Sequence, residues 1–261
     1  MKLNHDTQYI KSLDLKRDLI PSYTTFPFNL PVIKKFEKVA FHPNVTYIIG
    51  ENGMGKSTLL EGIAVALGFN PEGGTLNFNF SSYDSHSVLD RYLRVARGFY
   101  RPENSFFFRA ETFYNVATYI EEVDSDPLGG AAVIDGFGGR SLHEQSHGEA
   151  FFAAFINRFQ GNGIYILDEP EAALSPLRQM SMLTRIHDLV NQGAQFIIST
   201  HAPILMTYPD AKIIELTADG LAERTLEQTG HYTIMKQFFE NKERMLNHLF
   251  ESDGEKDGSD Q

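Results

Sequence analysis

Residues 50–58 read Gly-Glu-Asn-Gly-Met-Gly-Lys-Ser-Thr, and the chain on either side restricts how they fold. Upstream, Val45-Thr-Tyr-Ile-Ile-Gly50 is an apolar run of strand length; downstream, Leu59, Leu60, Ile63, Ala64 and Leu67 repeat at helical spacing. The spacing of Gly50, Gly55, Lys56 and Ser57 matches G-x-x-x-x-G-K-[ST], a phosphate-binding loop. Its glycines let backbone N–H groups turn inward around a β-phosphate, and the helix that follows presents its positive end. In that reading Gly50, Glu51, Asn52, Gly53, Met54, Gly55, Lys56, Ser57 and Thr58 form the nucleotide cradle. Lys56 reaches the β- and γ-phosphates, and the Ser57 hydroxyl ligates Mg²⁺. The sequence thus points to a nucleoside triphosphate.

A second apolar strand run, Gly163-Ile-Tyr-Ile-Leu-Asp168-Glu169-Pro170, ends in two carboxylates. Beside a phosphate loop, Asp168 is placed to hold Mg²⁺ and Glu169 to orient or deprotonate an attacking water. A third run, Phe196-Ile-Ile-Ser-Thr-His201-Ala-Pro203, ends in a histidine that would face the γ-phosphate from the carboxyl edge of a sheet. The octet Leu142-His-Glu-Gln-Ser146-His147-Gly148-Glu149 opens a helix of Ala150, Phe151, Phe152, Phe155 and Ile156. Ser146 is a natural N-cap there; taken alone, the octet reads as an ordinary capped helix.

From Ser146 onward the order is helix (to Phe159), strand (to Leu167), helix (Pro176–Asn191), strand (Gln195–Ser199), which predicts a parallel sheet with helices on its faces. Earlier, Tyr9–Leu15 and Phe36, Val39, Phe41 read as strands, Leu76, Phe78, Phe80 alternate, and Ser105–Arg109 is a further strand candidate. Asn115–Val123 reads as a helix, and residues 126–139 as a flexible loop. Lys212–Leu216 with a turn at Asp219-Gly220 suggests a hairpin, and one helix from Tyr232 to Phe250 closes the fold. The expected organisation is one domain over residues 1–250, with a helical subdomain at 112–150 and a disordered acidic tail at 251–261.

The 261-residue chain has no cysteine, which excludes a disulfide scaffold, a thiolate metal site and a cysteine nucleophile. Its first fifteen residues alternate polar and apolar, unlike a signal peptide, and no apolar run approaches the roughly eighteen residues that span a bilayer. A cytoplasmic protein is expected. The net charge of −11 counts against direct contact with nucleic acid. The short basic clusters, Lys34-Lys35 and Arg91, Arg94, Arg97 with Arg101, read as solvated faces and caps.

Four motifs in this order (phosphate loop, Ser-x-Gly-Glu at a helix start, Asp-Glu-Pro after a strand, strand-end His) resemble the ATP-binding-cassette ATPases from about Phe36 to Pro203. The resemblance implies an α/β fold: a mostly parallel core sheet flanked by helices, a small antiparallel β subdomain and a short helical subdomain. It also implies that Ser146, His147, Gly148 and Glu149 bind the γ-phosphate held by an opposing subunit, in a head-to-tail homodimer enclosing two ATP molecules. The chain departs from the pattern at His147, which replaces a signature glycine, and at Ser175, where transporters carry Asp. No glutamine follows the strand at Phe106–Phe108; Arg109-Ala-Glu111 stands there, with Glu111 as the candidate metal-side substitute. Tyr23, Phe26 and Phe28 are candidates for a base-stacking aromatic, each equally readable as core.

Asp168-Glu-Pro-Glu171 is more similar to the soluble branch of that family (repair, chromosome-organising and OLD-type ATPases) than to transporters. Phe107–Val116 and His143–Glu149 resemble a group of compact bacterial ATPases. The stretch from Lys56 to Ser146 has no room for a long coiled coil, and that after His201 none for a nuclease domain. The expectation is an ATPase that dimerises on Mg·ATP and drives or gates an unknown protein partner. The alternatives are a repair or phage-defence switch acting with a nuclease or toxin, and the ATP-binding subunit of a membrane transporter.

Overall fold

Strands buried on both faces of a parallel sheet carry near-continuous apolar runs, and the three runs that end in Gly50, Asp168 and Ser199 obey that rule. The structure, a computed structural model, describes residues 1–36, 38–76, 87–125, 132–172 and 174–251, with only the backbone of His147 and Glu251. The alternation at Phe78 and Phe80, the first part of the expected loop (126–131) and the tail at 252–261 lie outside the described residues. The rest of that loop is ordered as a short 3-10 turn at Val133–Phe137, held because Phe137 is fully buried in the core.

In chain order the elements are β1 (Ile10–Leu15), α1 (Pro31–Lys34), β2 (Lys38–Ala40), β3 (Val45–Gly50), α2 (Lys56–Leu67), β4 (Leu93–Arg97), β5 (Asn104–Arg109) and α3 (Phe113–Asp124). They continue with α4 (His147–Asn157), β6 (Gly163–Asp168), α5 (Pro176–Asn191), β7 (Gln195–Ser199) and α6 (Pro203–Met206). The hairpin strands β8 (Lys212–Thr217) and β9 (Gly220–Arg224) follow, then α7 (Gly230–Glu240) and α8 (Lys242–Glu251).

The central sheet runs β5-β6-β7-β3-β8-β9, parallel throughout except for the terminal hairpin strand β9. Successive side chains leave opposite faces, so each strand supplies two cores. Val45, Tyr47, Phe106, Tyr165 and Phe196 pack with Val116 of α3, Phe151 and Phe155 of α4 and Ile186 of α5. Ile48, Phe107, Ile166 and Ile197 pack on the other face, with Leu59, Leu60 and Ile63 of α2. Ile166 and Ile197 are fully buried, a burial that contributes about 2 kcal/mol each. The phosphate-loop helix and the helix opened by Ser146 thus lie on opposite sides of one sheet.

A second, antiparallel sheet, β2-β1-β4, covers the α2 side. The predicted strands at Tyr9–Leu15 and around Val39 are present as β1 and β2. Strand β4 falls in the stretch read as a basic solvated cluster: Leu93 is buried and pairs with Leu15, whereas Arg94 and Arg97 point outward. Gln195 ties the two sheets together from full burial. Its Oε1 accepts from the Tyr9 and Ile10 N–H groups at 3.1 and 2.9 Å, and its Nε2 donates to the Ile10 and His42 carbonyls at 2.9 and 3.0 Å. Both ends of a buried amide are satisfied, so its burial carries no orphan penalty.

The expected closing helix Tyr232–Phe250 is instead two helices. Asn241 leaves helical geometry (φ −132°, ψ 37°) and splits it, and α7 buries no side chain, so this end projects from the body. The apolar residues there, Ile234, Phe239 and Phe250 among them, are exposed.

What positions the site is the parallel register. Arg109 of β5 pairs with Asp168 of β6, Asp168 with Ser199 of β7, and Ser199 with Ile48 of β3, two residues before Gly50. The carboxyl ends of four strands therefore line one edge.

Candidate functional site at the carboxyl edge of the sheet

Gly50 leaves β3 with φ 146°, and a Cβ there would stand 2.7 Å from the Leu216 carbonyl oxygen on β8. Only glycine lets the two strands stay this close at the loop's first residue. Gly55 caps α2 in left-handed geometry (φ 95°), and α2 carries no side-chain cap, so its first N–H groups are left for an anion. Glu51, Asn52 and Gly53 are exposed at the rim; Met54, Ser57 and Thr58 are half-buried. Lys56 is buried, and its Nζ donates to the Gly50 and Glu51 carbonyls at 3.0 and 3.3 Å. Burial draws its ammonium below the ordinary lysine range, against the opposing pull of Glu169, Asp168 and Glu51.

Asp168 ends β6 beside this loop. Ser57 Oγ donates to its Oδ1 at 3.2 Å, and Ser199 Oγ donates to the same oxygen. Burial raises Asp168 above the usual carboxylate range, countered by these hydroxyls and by Arg109. An oxygen-only pair on a buried carboxylate suits a hard cation such as Mg²⁺, which takes one or two protein ligands and completes its shell with phosphates and water. No group of three acidic, His or Cys side chains forms a self-sufficient metal cage among the described residues. Ser57 and Asp168 are the pair that fits the metal.

Glu169 follows in left-handed backbone geometry (φ 50°), which costs a non-glycine residue about 1 kcal/mol or more. Its N–H donates to the Ser199 carbonyl at 3.1 Å, so the register with β7 holds the bend in place. His201, two residues past β7, brings Nε2 to 3.5 Å from Glu169 Oε1. That Nε2 is buried and has no hydrogen-bond partner among the described residues, as expected of an atom reserved for a ligand. Burial, then Lys56 and His231, hold the His201 imidazole below its ordinary pKa.

Of the predicted residues, the structure gathers the phosphate loop, Asp168, Glu169 and His201 on one edge. Glu111 stands apart: its side chain is 83% exposed and pairs with Arg109 at 3.7 Å. Ser146 and Glu149 form a capping box at the exposed tip of α4. Glu149 N donates to Ser146 Oγ at 3.3 Å, and Ser146 N and Oγ donate to Glu149 Oε2 at 3.2 and 2.8 Å. Those bonds hold the Glu149 carboxyl below its usual range. Gly148 sits in the first turn of the same helix. Phe28 is buried against Tyr92, and Tyr23 Oη accepts from Arg17 at 3.3 Å. Phe26 is exposed, on the segment whose Leu30 side chain lies against Gly55.

Three members of the edge escape sequence reasoning. Arg109 places Nη1 2.7 Å from Glu61 Oε2 of α2 and Nε 3.9 Å from Asp168 Oδ2, setting a guanidinium beside the buried Asp168 carboxylate. Its sequence signal is its place directly after the strand at Phe106–Phe108, two residues before Glu111. Glu171 accepts the His201 N–H at 2.6 Å and is raised in pKa by burial. His231, from α7, reaches His201 Nδ1 with Nε2 at 3.0 Å, and nothing in the local sequence announces it.

A family model described as an AAA domain matches residues 27–120. The cobalt import ATP-binding protein CbiO of Salmonella typhimurium is 28% identical over 184 residues, covering 66% of this chain and 67% of its own length. The energy-coupling factor transporter ATP-binding protein EcfA2 of Methanospirillum hungatei is 26% identical over 209 residues, covering 75% of this chain and 51% of its own. The chain thus spans about two thirds of the first relative and about half of the second. A solved structure of the ATP-binding subunit of an ABC transporter aligns at TM-score 0.48 and 19% identity, over 88% of this chain and 93% of that one.

Proposed function

We infer that this chain, a P-loop ATPase of the ATP-binding-cassette type, hydrolyses Mg·ATP inside an ATP-closed homodimer that drives or gates a protein partner. The observation that carries this reading is the Ser57–Asp168 contact at 3.2 Å, with the Glu169–His201 approach at 3.5 Å on the same edge. Binding begins with the phosphates displacing Lys56 from the Gly50 and Glu51 carbonyls, its ammonium then lying along the β- and γ-phosphates. Ser57 and Asp168 are the residues that would hold Mg²⁺, which supplies charge neutralisation on the phosphate oxygens. The Glu169 carboxylate orients water for in-line attack and draws off its proton. His201 donates from Nε2 to the transferring group, stabilising charge as it develops. Of the three candidate aromatics, Phe26 is assigned to the base because it is the exposed one, Phe28 being buried and Tyr23 bonded to Arg17.

The signature element is proposed to act across the dimer. Ser146 stands on the sheet face opposite the chain's own phosphate-loop helix, which supports a role toward a second copy. Turnover by one chain alone is then slow, because the γ-phosphate lacks the partner's donors until the dimer closes. The experiment is steady-state phosphate release against protein concentration: specific activity rises with concentration, whereas a concentration-independent rate refutes the dimer mechanism.

A second reading specifies the partner as an integral-membrane transport component. The names of the relatives, cobalt import and energy-coupling factor proteins, favour it. No helix among the described residues is long and apolar enough to cross a membrane, so the span would come from the partner. A permease co-purifying from detergent-solubilised membranes supports this reading; co-purification with a nuclease or toxin instead supports the repair or defence alternative.

A further inference from the structure

The proposed mechanism uses one nitrogen of His201 and leaves the other unexplained. Nδ1 lies 3.0 Å from His231 Nε2, a hydrogen bond between two imidazoles from segments thirty residues apart. One proton lies between them, and its owner decides which form of His201 faces the nucleotide. If His201 Nδ1 donated, a bare Nε2 lone pair would face the Glu169 carboxylate 3.5 Å away, and the two would repel. If His231 Nε2–H donates, Nδ1 accepts and the His201 proton sits on Nε2, directed at Glu169 and the γ-phosphate position. Of the charged neighbours of His201, Lys56 opposes a cationic ring, Glu51 favours one, Glu169 faces Nε2, and Glu171 is engaged by the backbone N–H. Lys56 and burial disfavour a doubly protonated ring, so the tautomer, rather than a cation, sets the donor.

We propose that His231 is a positioning residue: its Nε2–H donates to His201 Nδ1 and so fixes the His201 tautomer and ring plane with Nε2–H aimed into the nucleotide site. The proposal rests on the functional reading above and deepens it, because the donor it fixes is the one that reading assigns to the γ-phosphate. The same logic holds for metal-ligating histidines, whose second nitrogen is held by an outer partner, at a cost of about 10–100-fold when that partner is removed.

The geometry explains why α7 reaches the site at all. The helix buries none of its side chains and starts at a Thr229 cap, whose Oγ1 accepts the Tyr232 N–H at 3.3 Å. Thr229 itself is fully buried, so the cap is anchored in the body while the rest of the helix projects. His231 is two residues from that anchor, in the first turn of α7. The bond to His201 therefore joins a projecting helix to the reacting edge, and moving α7 releases the tautomer.

Two measurements on the full chain test this. In ¹⁵N-histidine-labelled protein without nucleotide, with the His201 signals assigned by their loss in His201→Gln, the ring shows protonated Nε2 and a hydrogen-bonded, unprotonated Nδ1. His231→Phe, which keeps an aromatic ring but removes the donor, converts this to a mixture of tautomers, and His231→Gln, whose amide can still donate, restores it. In phosphate-release kinetics His231→Phe lowers kcat about tenfold with KM for ATP within about twofold, and His231→Gln recovers most of the loss. A His201 ring protonated at Nδ1 in the unmutated chain overturns the proposal, as does a His231→Phe kcat equal to that of the unmutated chain. If the unmutated chain hydrolyses no ATP, the functional reading fails, and the tautomer spectrum still decides the role of His231.

Discussion

The carboxyl edge of the central sheet and the tip of α4 are built in opposite ways. At the edge, Asp168 takes two hydroxyls and faces a guanidinium, Glu169 is bent against β7, and His201 is held by Glu171 and His231. At the tip, Ser146 and Glu149 bond to each other in the open, with Arg178 at 3.6 Å as a further neighbour. The first region is preorganised around a ligand; the second is merely a well-capped helix end within one chain. The difference teaches that the edge is organised by contacts between distant segments, whereas the tip is satisfied locally, and the role proposed for the tip needs a second copy.

The sharpest way to break this contrast is at Lys56. Lys56→Ala removes the charge buried at the loop and weakens ATP binding by about 10²-fold, read by fluorescent-nucleotide titration, with turnover lost as well. Unchanged affinity would mean that the edge is not the phosphate site. Next, Ser146→Arg lowers kcat by about 10²-fold while ATP affinity of the dilute chain stays unchanged. Ser146→Ala costs about 1 kcal/mol through the lost cap, read by urea unfolding. If Ser146→Arg loses no more activity than its stability loss explains, the tip is only a cap.

Arg109 tests whether the edge is also structural. Its pair with Glu61 is largely buried (14% and 10% side-chain exposure), and Arg109→Ala strands that carboxylate at a cost of about 2–3 kcal/mol in urea unfolding. A change within error would show the pair to be solvent-screened. The smallest effect is at Asp168. Burial raises its folded pKa, so the unfolded chain ionises first. Ligand-free stability then falls as pH rises from the ordinary aspartate value, about 3.9, through the raised folded value, and levels above it. Asp168→Asn removes that loss: the ligand-free melting temperature at neutral pH rises by a few degrees, about what 1 kcal/mol gives at this chain length, while the rise produced by Mg·ATP disappears. A lower ligand-free melting temperature contradicts the assigned direction.

How much of this was legible follows from where each signal lies. Strands buried on both faces spell themselves out as apolar runs, and the residue ending each run is the one at the sheet's edge; Gly50, Asp168 and the stretch to His201 were therefore readable. The mixed fold followed from their order. Strand β4 hid because its outward arginines masked the alternation of Leu93 and Val95. Glu61 and His231 were invisible for another reason, and Arg109 was legible only by its place after a strand: their roles are contacts across distant segments, which periodicity cannot encode. The break at Asn241 was missed because the apolar pattern continues through it, although the structure leaves those apolar faces exposed.

The dimer at the centre of the account is tested most directly by the mass of Glu169→Gln in solution. This variant keeps the phosphate cradle and the metal pair but lacks the base, so it should bind ATP and stall before hydrolysis. With saturating Mg·ATP, light scattering should give twice the mass of one chain, returning to one when nucleotide is removed. A variant that binds ATP and still scatters as a single chain would contradict the exchange of donors between two copies.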